Sequence, residues 1–411
     1  WGIDDHIEMD GLNEIDRQVV ESGWALRKEL LKLPMKLHRK KIWMFYDTPF
    51  HANGNAAVLF KYLQKNRLFQ VETYYVLSPN SADYEEMSAC GHVIPYGSHE
   101  HKVMSIQADR VFGSSIDRTL RYPFKKTDRE DEFIYVRNLV KGKFIYLQND
   151  VTSLDKSTTM NMMVANIDYI LCSAVREQEA FCDKQYQYLP ENLLLTGMPR
   201  FDLLRPALEL KKQIMILPTY RPELVGTMNI ETGEYVYQDQ VKQSKFYEFY
   251  QRLIQDERLI EVMQQYGYTG IFGLPEQMKA NLCDFTGNEV ITLLEDDSRC
   301  IEEMIQAALL VTDYSDVSFD FAYMKKPVLY AMYDFDEYIA QSPYEQGYFN
   351  YKKDGFGEVC ENYEKLLERL CTMISTSCTM DEQYLLRTQK FFTYMDDNNC
   401  KRVVKEMKRV K

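Results

Sequence analysis

The sequence predicts an α/β chain built from two parallel-sheet domains, with helical segments at both ends. Three observations predict it. Strand-sized apolar runs recur with roughly 15–30 helix-compatible residues between them, the rhythm of βαβ units. The rhythm comes in two series of similar size, joined near Pro206–Lys212. The chain has 411 residues, 45% hydrophobic and 27% charged, which suits two to three globular domains of roughly 100–200 residues each.

Residues 1–40 read as a helical, amphipathic and partly basic segment. From Trp24 to Lys41, Arg27, Lys28, Lys32, Lys36, Arg39, Lys40 and Lys41 face a single acid, Glu29, and Pro34 ends or kinks the helix. Two readings stand: a helix that covers a domain with a solvated basic edge, or contact with an anionic membrane surface. Residues 41–207 form the first domain. Its strands are expected at Lys41–Asp47, Val71–Leu77, around His92, and at Asp109–Ser115, Lys143–Gln148, Asp168–Ser173 and Asn192–Gly197, with a helix over Asn55–Gln64. Residues 208–360 form the second. Strands are expected at Gln213–Leu217, Thr269–Phe272, Glu289–Leu293 and Ala308–Thr312, with Pro327–Tyr330 closing the sheet and helices at Lys245–Arg252 and Arg258–Tyr266. Residues 361–411 read as charged helices. The pattern implies two Rossmann-like domains facing one another.

Composition excludes several classes. Lys and Arg number 49 against 62 Asp and Glu, so the net charge is 49 − 62 = −13, the wrong sign for a dedicated nucleic-acid binder. No apolar run approaches the roughly 20 residues that span a bilayer. The chain starts at Trp1 without a Met or a signal-like stretch, as a fragment or processed chain would. Nine cysteines without a Cys-x-x-Cys suit free thiols in a reducing, cytoplasmic compartment. All six histidines (His6, His38, His51, His92, His99, His101) precede residue 102, so a histidine mechanism must draw on the N-terminal quarter. The phosphate-loop, Gly-x-Gly-x-x-Gly and Gly-x-Ser-x-Gly motifs are missing.

In an open α/β sheet, ligands sit at the carboxyl ends of strands, against helix N-termini. Three polar strand ends qualify. The first is the turn Thr312–Ser318, where Asp313, Ser315, Asp316 and Ser318 surround a helix start that suits a phosphate, or that is a plain capped helix. The second is Leu217–Glu223, where Thr219 and Arg221 can bind a phosphate, Arg221 by a fork, or form a surface ion pair. The third is the trio Gln148–Asn149–Asp150. His99 and His101 read as a polar helix start rather than metal ligands, and Leu294–Arg299 as an acidic helix N-terminus. No metal site is expected from the sequence, and a role for a divalent cation stays open.

Taken in order, LQND (Leu147–Asp150), TGMPRFD (Thr196–Asp202), LPTYR (Leu217–Arg221) and TDYSDVSFDFAYMKKPVLY (Thr312–Tyr330) resemble the CDP-glycerol glycerophosphotransferase family. This family includes teichoic-acid primases and polymerases and their capsule-synthesis relatives. DTPFHANGNAAVLFKY (Asp47–Tyr62) resembles its first strand–loop–helix, and the resemblance covers roughly residues 41–340. It implies a glycosyltransferase-B arrangement of two Rossmann-like domains. It also implies a CDP-alcohol donor, CDP-glycerol or CDP-ribitol, whose β-phosphate is attacked by an acceptor hydroxyl with release of CMP. By that match Thr219, Arg221, Thr312, Asp313, Ser315, Asp316 and Ser318 lie on the nucleotide and phosphate side, and Gln148 and Arg200 on the acceptor side. The acceptor would be a polyol-phosphate or glycan polymer, and the site cytoplasmic, at the inner face of the membrane.

The departures concern the chemistry. Where the family commonly has two serines, this chain has Ser315–Asp316, and a carboxylate beside phosphates must turn away, cap the helix or hold a cation. Where the family has Gln-His-Gly, this chain has Gln148–Asn149–Asp150, and Leu274–Pro275 stand where its second histidine falls. Asn149 cannot accept a proton; Asp150 can, and is the expected base. Two alternatives stay open beside the transferase: a catalytically degenerate binding or scaffold relative, and a different nucleotide-sugar glycosyltransferase.

Overall fold

A computed structural model describes residues 11–32, 40–229, 231–296 and 299–410. The first seven strands are β1 (Lys41–Tyr46), β2 (Val71–Leu77), β3 (His92–Pro95), β4 (Arg110–Gly113), β5 (Lys143–Tyr146), β6 (Tyr169–Cys172) and β7 (Leu193–Leu195). The next six are β8 (Gln213–Ile216), β9 (Thr269–Phe272), β10 (Ile291–Leu293), β11 (Leu309–Thr312), β12 (Val328–Ala331) and β13 (Gly357–Cys360). They form a seven-stranded sheet in the order β3-β2-β1-β4-β5-β6-β7 and a six-stranded sheet in the order β10-β9-β8-β11-β12-β13. Two compact units result: residues 1–149 with 166–169, and residues 150–165 with 170–411.

Strands β8, β11 and β12 are buried along their whole length, and β1 is buried from Ile42 onwards. Strands covered on both faces read as continuous apolar runs, which is why KIWMFY and LLVT are visible in the sequence. Parallel pairing sets Val311 beside Ile216 on one side and Leu329 on the other. In the second sheet the chain runs outward through β8, β9 and β10, then returns to the middle for β11 and leaves the other way. The exits of β8 and β11 therefore flank a topological switch point, the place where such sheets bind ligands.

The sheet does not close at Pro327–Tyr330, as the sequence suggests, because β13 adds one more strand beyond β12. Its sequence, GEVC, is too short and too polar to announce a strand. It needs its glycine: a Cβ on Gly357 would collide with the carbonyl oxygen of Val328. The N-terminal helix spans Glu14–Lys32 and buries Val19, Val20 and Leu26. Leu26 packs with Ile106 and Val136, and Arg27 donates to the Tyr135 carbonyl (2.8 Å) and Asn138 Oδ1 (2.7 Å). Pro34, Lys36 and Arg39 of the basic stretch lie outside the described residues. Helices Tyr363–Ser375, Glu382–Phe391 and Asn399–Arg409 make up the C-terminal region. Among the described residues no helix is long and apolar enough to cross a membrane.

Candidate active site

The exits of β8 and β11 are tied together by one buried carboxylate. Asp313 Oδ1 accepts from the backbone N–H groups of Thr219 (2.7 Å) and Tyr314 (2.6 Å). Its Oδ2 accepts from Arg221 Nη2 (3.0 Å) and the Tyr250 hydroxyl (3.0 Å). Thr312 Oγ1 donates to the Leu217 carbonyl at 2.6 Å, a second tie between the same strand ends. The sequence places Thr219, Arg221, Thr312 and Asp313 at two polar strand ends, and the structure brings these ends into direct contact.

Arg221 takes an inward role. Its side chain is 2% exposed, and its Nε and Nη2 donate to the two oxygens of Asp334 at 2.9 and 3.1 Å. Nη1 donates to the Thr219 carbonyl at 2.9 Å, and the rings of Phe246, Tyr314 and Tyr338 surround the guanidinium. The fork expected to face a phosphate is thus closed on two carboxylates, which hold Arg221 charged well above its ordinary range despite its burial. Thr219, by contrast, is partly exposed, and its Oγ1 is shielded from solvent with no partner among the described residues.

Beyond Asp313 the turn leads into the short helix Val317–Tyr323. Ser315 and Asp316 are partly exposed, while Ser318 is fully buried beside Tyr330. Ser315 Oγ accepts from the Val317 N–H at 3.3 Å, so it provides the local cap. Asp316 does not cap. Its Oδ1 accepts from Ser153 Oγ at 3.1 Å, which turns the carboxylate towards the segment that follows Asp150. Packing around the group pushes its pKa up to about 7; Asp150 adds to the rise, while Lys156, Ser153 and Arg200 oppose it.

Asp150, the base expected from the sequence, and Arg200, assigned there to the acceptor side, are joined directly. Arg200 Nη2 donates to Asp150 Oδ1 at 2.7 Å, and Nη1 donates to Asp320 Oδ2 at 2.7 Å. Asp320 is 1% exposed, and burial raises its pKa to about 6 against the opposing charge of Arg200. Arg200 belongs to the Thr196–Asp202 motif, whose other residues are structural. Gly197 has φ +73° against Asn399, and Asp202 accepts from the N–H groups of Asn399 (2.7 Å) and Cys400 (2.9 Å) at the start of the C-terminal helix.

In the first sheet the exit of β5 is strained. Gln148 is fully buried with φ +60°, a conformation costly for a residue with a side chain and common at functional sites. Its carbonyl and that of Asn149 accept from Asn55 Nδ2 at 2.9 and 3.3 Å, which leaves the Asn149 side chain exposed. The switch point between β1 and β4 is filled from within. Asp47 accepts from the N–H groups of Gly54 (3.0 Å), Ala56 (2.9 Å) and Ala57 (3.1 Å) and from the Tyr75 hydroxyl (2.8 Å). A carboxylate therefore sits where that helix start would otherwise attract an anion.

Sequence reasoning missed Ser153, Lys156, Asp320 and Asp334. Asp320 could have been found, because Asp316 and Asp320 are four apart on one helical face. Asp334, beyond β12, is joined to the site only by tertiary contact. Of the weaker candidates, His99 begins the helix His99–Gln107 with Ser98 as its cap, and His101 is buried against the Leu120 carbonyl. Residues 297 and 298 of the acidic stretch Leu294–Arg299 lie outside the described residues. Leu274, buried, and Pro275 follow β9 next to the exit of β8. Among the described residues, no three histidine, cysteine or acidic side chains converge to hold a metal ion.

Comparison with known proteins bears on the family and the fold. The family model of CDP-glycerol:poly(glycerophosphate) glycerophosphotransferase matches residues 28–408. The chain is 33% identical over 367 residues to the minor teichoic acid biosynthesis protein GgaB of Bacillus subtilis (89% of this chain, 39% of the relative). It is 22% identical over 234 residues to the teichoic acid ribitol-phosphate polymerase TarK of Staphylococcus aureus (53% of this chain, 40% of the relative). The chain thus spans about two fifths of the length of these curated relatives. In fold it is similar to the wall teichoic acid polymerase TagF, with TM-score 0.65 and 15% identity over 96% of this chain and 93% of the other. With nearly the whole sequence inside the match, the chain belongs to the CDP-glycerol:poly(glycerophosphate) glycerophosphotransferase family.

Proposed function

We propose that the chain transfers a polyol phosphate from a CDP-alcohol to a teichoic-acid-type polymer. The observation that carries this reading is the locked pair of strand-end loops, 217–221 and 312–318, at the switch point of the second sheet. They lie in a chain whose GgaB relative is a minor teichoic acid biosynthesis protein. In this reading residues 208–360 hold the donor. Ser315, partly exposed, offers a hydroxyl to its phosphates, and Thr219 joins it once its shielded Oγ1 turns outwards; Asp313 and Arg221 fix the two loops, and residues 41–207 take the acceptor. Glycerol and ribitol are both admissible polyols, since relatives of either kind match.

The step is a displacement at phosphorus. The acceptor oxygen bonds to the β-phosphorus, the bond from that phosphorus to the bridging oxygen breaks, and CMP leaves with the electron pair. The acceptor's proton passes to a base, for which Asp150 is the candidate; general-base help is typically worth about 10²–10⁴-fold. CMP release by purified protein from CDP-glycerol and CDP-ribitol, with a poly(glycerol phosphate) acceptor, tests the reading. Release above background that depends on the acceptor is expected; CDP-alcohols left intact would overturn it.

A second reading, a nucleotide-binding relative without turnover, is favoured by one observation: an oxygen of Asp150 already accepts from Arg200. Cytidine nucleotide binding without CMP release would select it. We also place the chain at the cytoplasmic face of the membrane, its basic segment at residues 24–41 facing anionic lipid. Co-sedimentation with anionic vesicles that survives replacement of Lys40 and Lys41 by Gln and is insensitive to salt would count against this.

A further inference from the structure

We propose that Asp320 is a positioning residue that acts through Arg200 to keep Asp150 able to accept a proton; this rests on the transfer reaction proposed above. Arg200 lies between the two carboxylates, donating to each at 2.7 Å from different nitrogens. The side chain of Asp150 is 29% exposed and that of Asp320 only 1%. Asp320 Oδ1 has no hydrogen-bond partner among the described residues, so Arg200 is the principal counter-charge for this buried group.

The electrostatics give the arrangement its purpose. A carboxylate paired alone with a guanidinium is well oriented but poorly basic, because the cation stabilises its charge. Two carboxylates sharing one guanidinium carry a net charge of −1 between them. The buried member cannot exchange its partner for water, so Arg200 is already largely neutralised when it orients Asp150. A third carboxylate bears on the pair: Asp316, one helical turn before Asp320, feels the like charge of Asp150, and Lys156 and Arg200 oppose that charge. Tyr220, Tyr338, Tyr348 and Tyr351 lie within electrostatic reach of Asp316 and stay protonated, their pKa values raised by burial. Asp320 follows the 312–316 turn on its own short helix, so the relay joins the donor-side turn to the proton acceptor.

The test is the pH dependence of CMP release by the full chain and its Asp320→Asn, Asp320→Glu, Asp150→Asn and doubly substituted (Asp150→Asn, Asp320→Asn) variants. Asp320→Asn leaves the whole charge of Arg200 to Asp150. Above pH 6, where Asp320 is charged, it should lower kcat about tenfold and keep KM for the CDP-alcohol within about twofold. Below that pH the native chain should lose the same advantage and approach the variant. Asp320→Glu keeps the charge and should restore kcat to within about twofold. In the Asp150→Asn background, Asp320→Asn should have no further effect on kcat. An equal deficit at every pH, or an equal loss in both backgrounds, overturns the relay. If the native chain releases no CMP, the transfer reading fails by itself. The relay is then judged by melting temperatures at pH 5–8: non-additive shifts of the two Asn substitutions support it, and additive shifts overturn it.

Discussion

Asp313 Oδ2 lies 3.0 Å from Arg221 Nη2, and neither side chain is more than 2% exposed. The two residues come from the exits of adjacent strands, so the ion pair decides how two loops meet at the switch point. Such a pair, once buried, is costly to break from one side, since the surviving charge is left without water or partner.

Arg221→Ala should therefore act first on folding, at a cost of about 3–5 kcal/mol, because it strands Asp313 and Asp334 together. Arg221→Lys should recover little, since an ammonium cannot serve both carboxylates and the Thr219 carbonyl in one plane. Urea unfolding of both variants checks this. A midpoint unchanged in Arg221→Ala, with nucleotide affinity lost, would return the guanidinium to the phosphate.

A second prediction concerns the motif residue Asp202. It accepts from two backbone N–H groups at the start of the helix Asn399–Arg409, across nearly two hundred positions of sequence. Asp202→Ala should cost about 1–2 kcal/mol, the range of a lost N-cap with its helix-dipole contribution. Amide exchange should quicken at residues 399–402 before it does so in the sheets. Uniform quickening throughout the second unit would show that the residue does more than cap.

How far the sequence could be read follows from where the causes are local. Buried strands announce themselves as apolar runs, so Val71–Leu77 and Thr269–Phe272 have the same limits in sequence and structure. The strand at Gly357–Cys360 does not announce itself, because its place is set by a close approach to Val328 rather than by apolar content. At the site, the polar strand ends were legible because polar residues after an apolar run are conspicuous. Partners were not. Whether Arg221 faces a phosphate or Asp334 depends on a residue 113 positions away. The Asp150–Arg200–Asp320 chain spans three segments that no local pattern connects.

The pH dependence of stability has a definite sign. Burial raises Asp320 to about 6 and Asp316 to about 7 from an ordinary 3.8, so the folded chain holds more protons there than the unfolded chain between those values. Stability from these groups falls as pH rises through that window. His101 acts oppositely: burial lowers it from 6.5 to about 4, so its contribution grows with pH over that interval. Asp320→Asn removes one falling contribution. Its melting temperature, followed from pH 5 to 7, should therefore slope more steeply upward, or less steeply downward, than that of the native chain. Parallel curves would show that Asp320 does not hold its proton as described.

The last prediction separates binding from folding at one residue. Thr219 has its N–H fixed by Asp313, while its hydroxyl oxygen is shielded from solvent and has no partner among the described residues. A hydroxyl held in that way costs the folded chain about 1–3 kcal/mol of uncompensated desolvation. Valine has nearly the same shape without the hydroxyl, so Thr219→Val should melt at or above the native temperature. If the hydroxyl is kept for the donor, rotation about χ1 brings it out of its shielded position when a phosphate oxygen arrives, and a bond to a charged acceptor is worth about 1.5–3 kcal/mol. Calorimetric titration with CDP should then show affinity about tenfold or more weaker in Thr219→Val. Serine at 219 keeps the hydroxyl and should bind nearly as the native chain does. Equal CDP affinity in Thr219→Val and the native chain would remove Thr219 from the donor site and leave its unpartnered hydroxyl as a local packing fault.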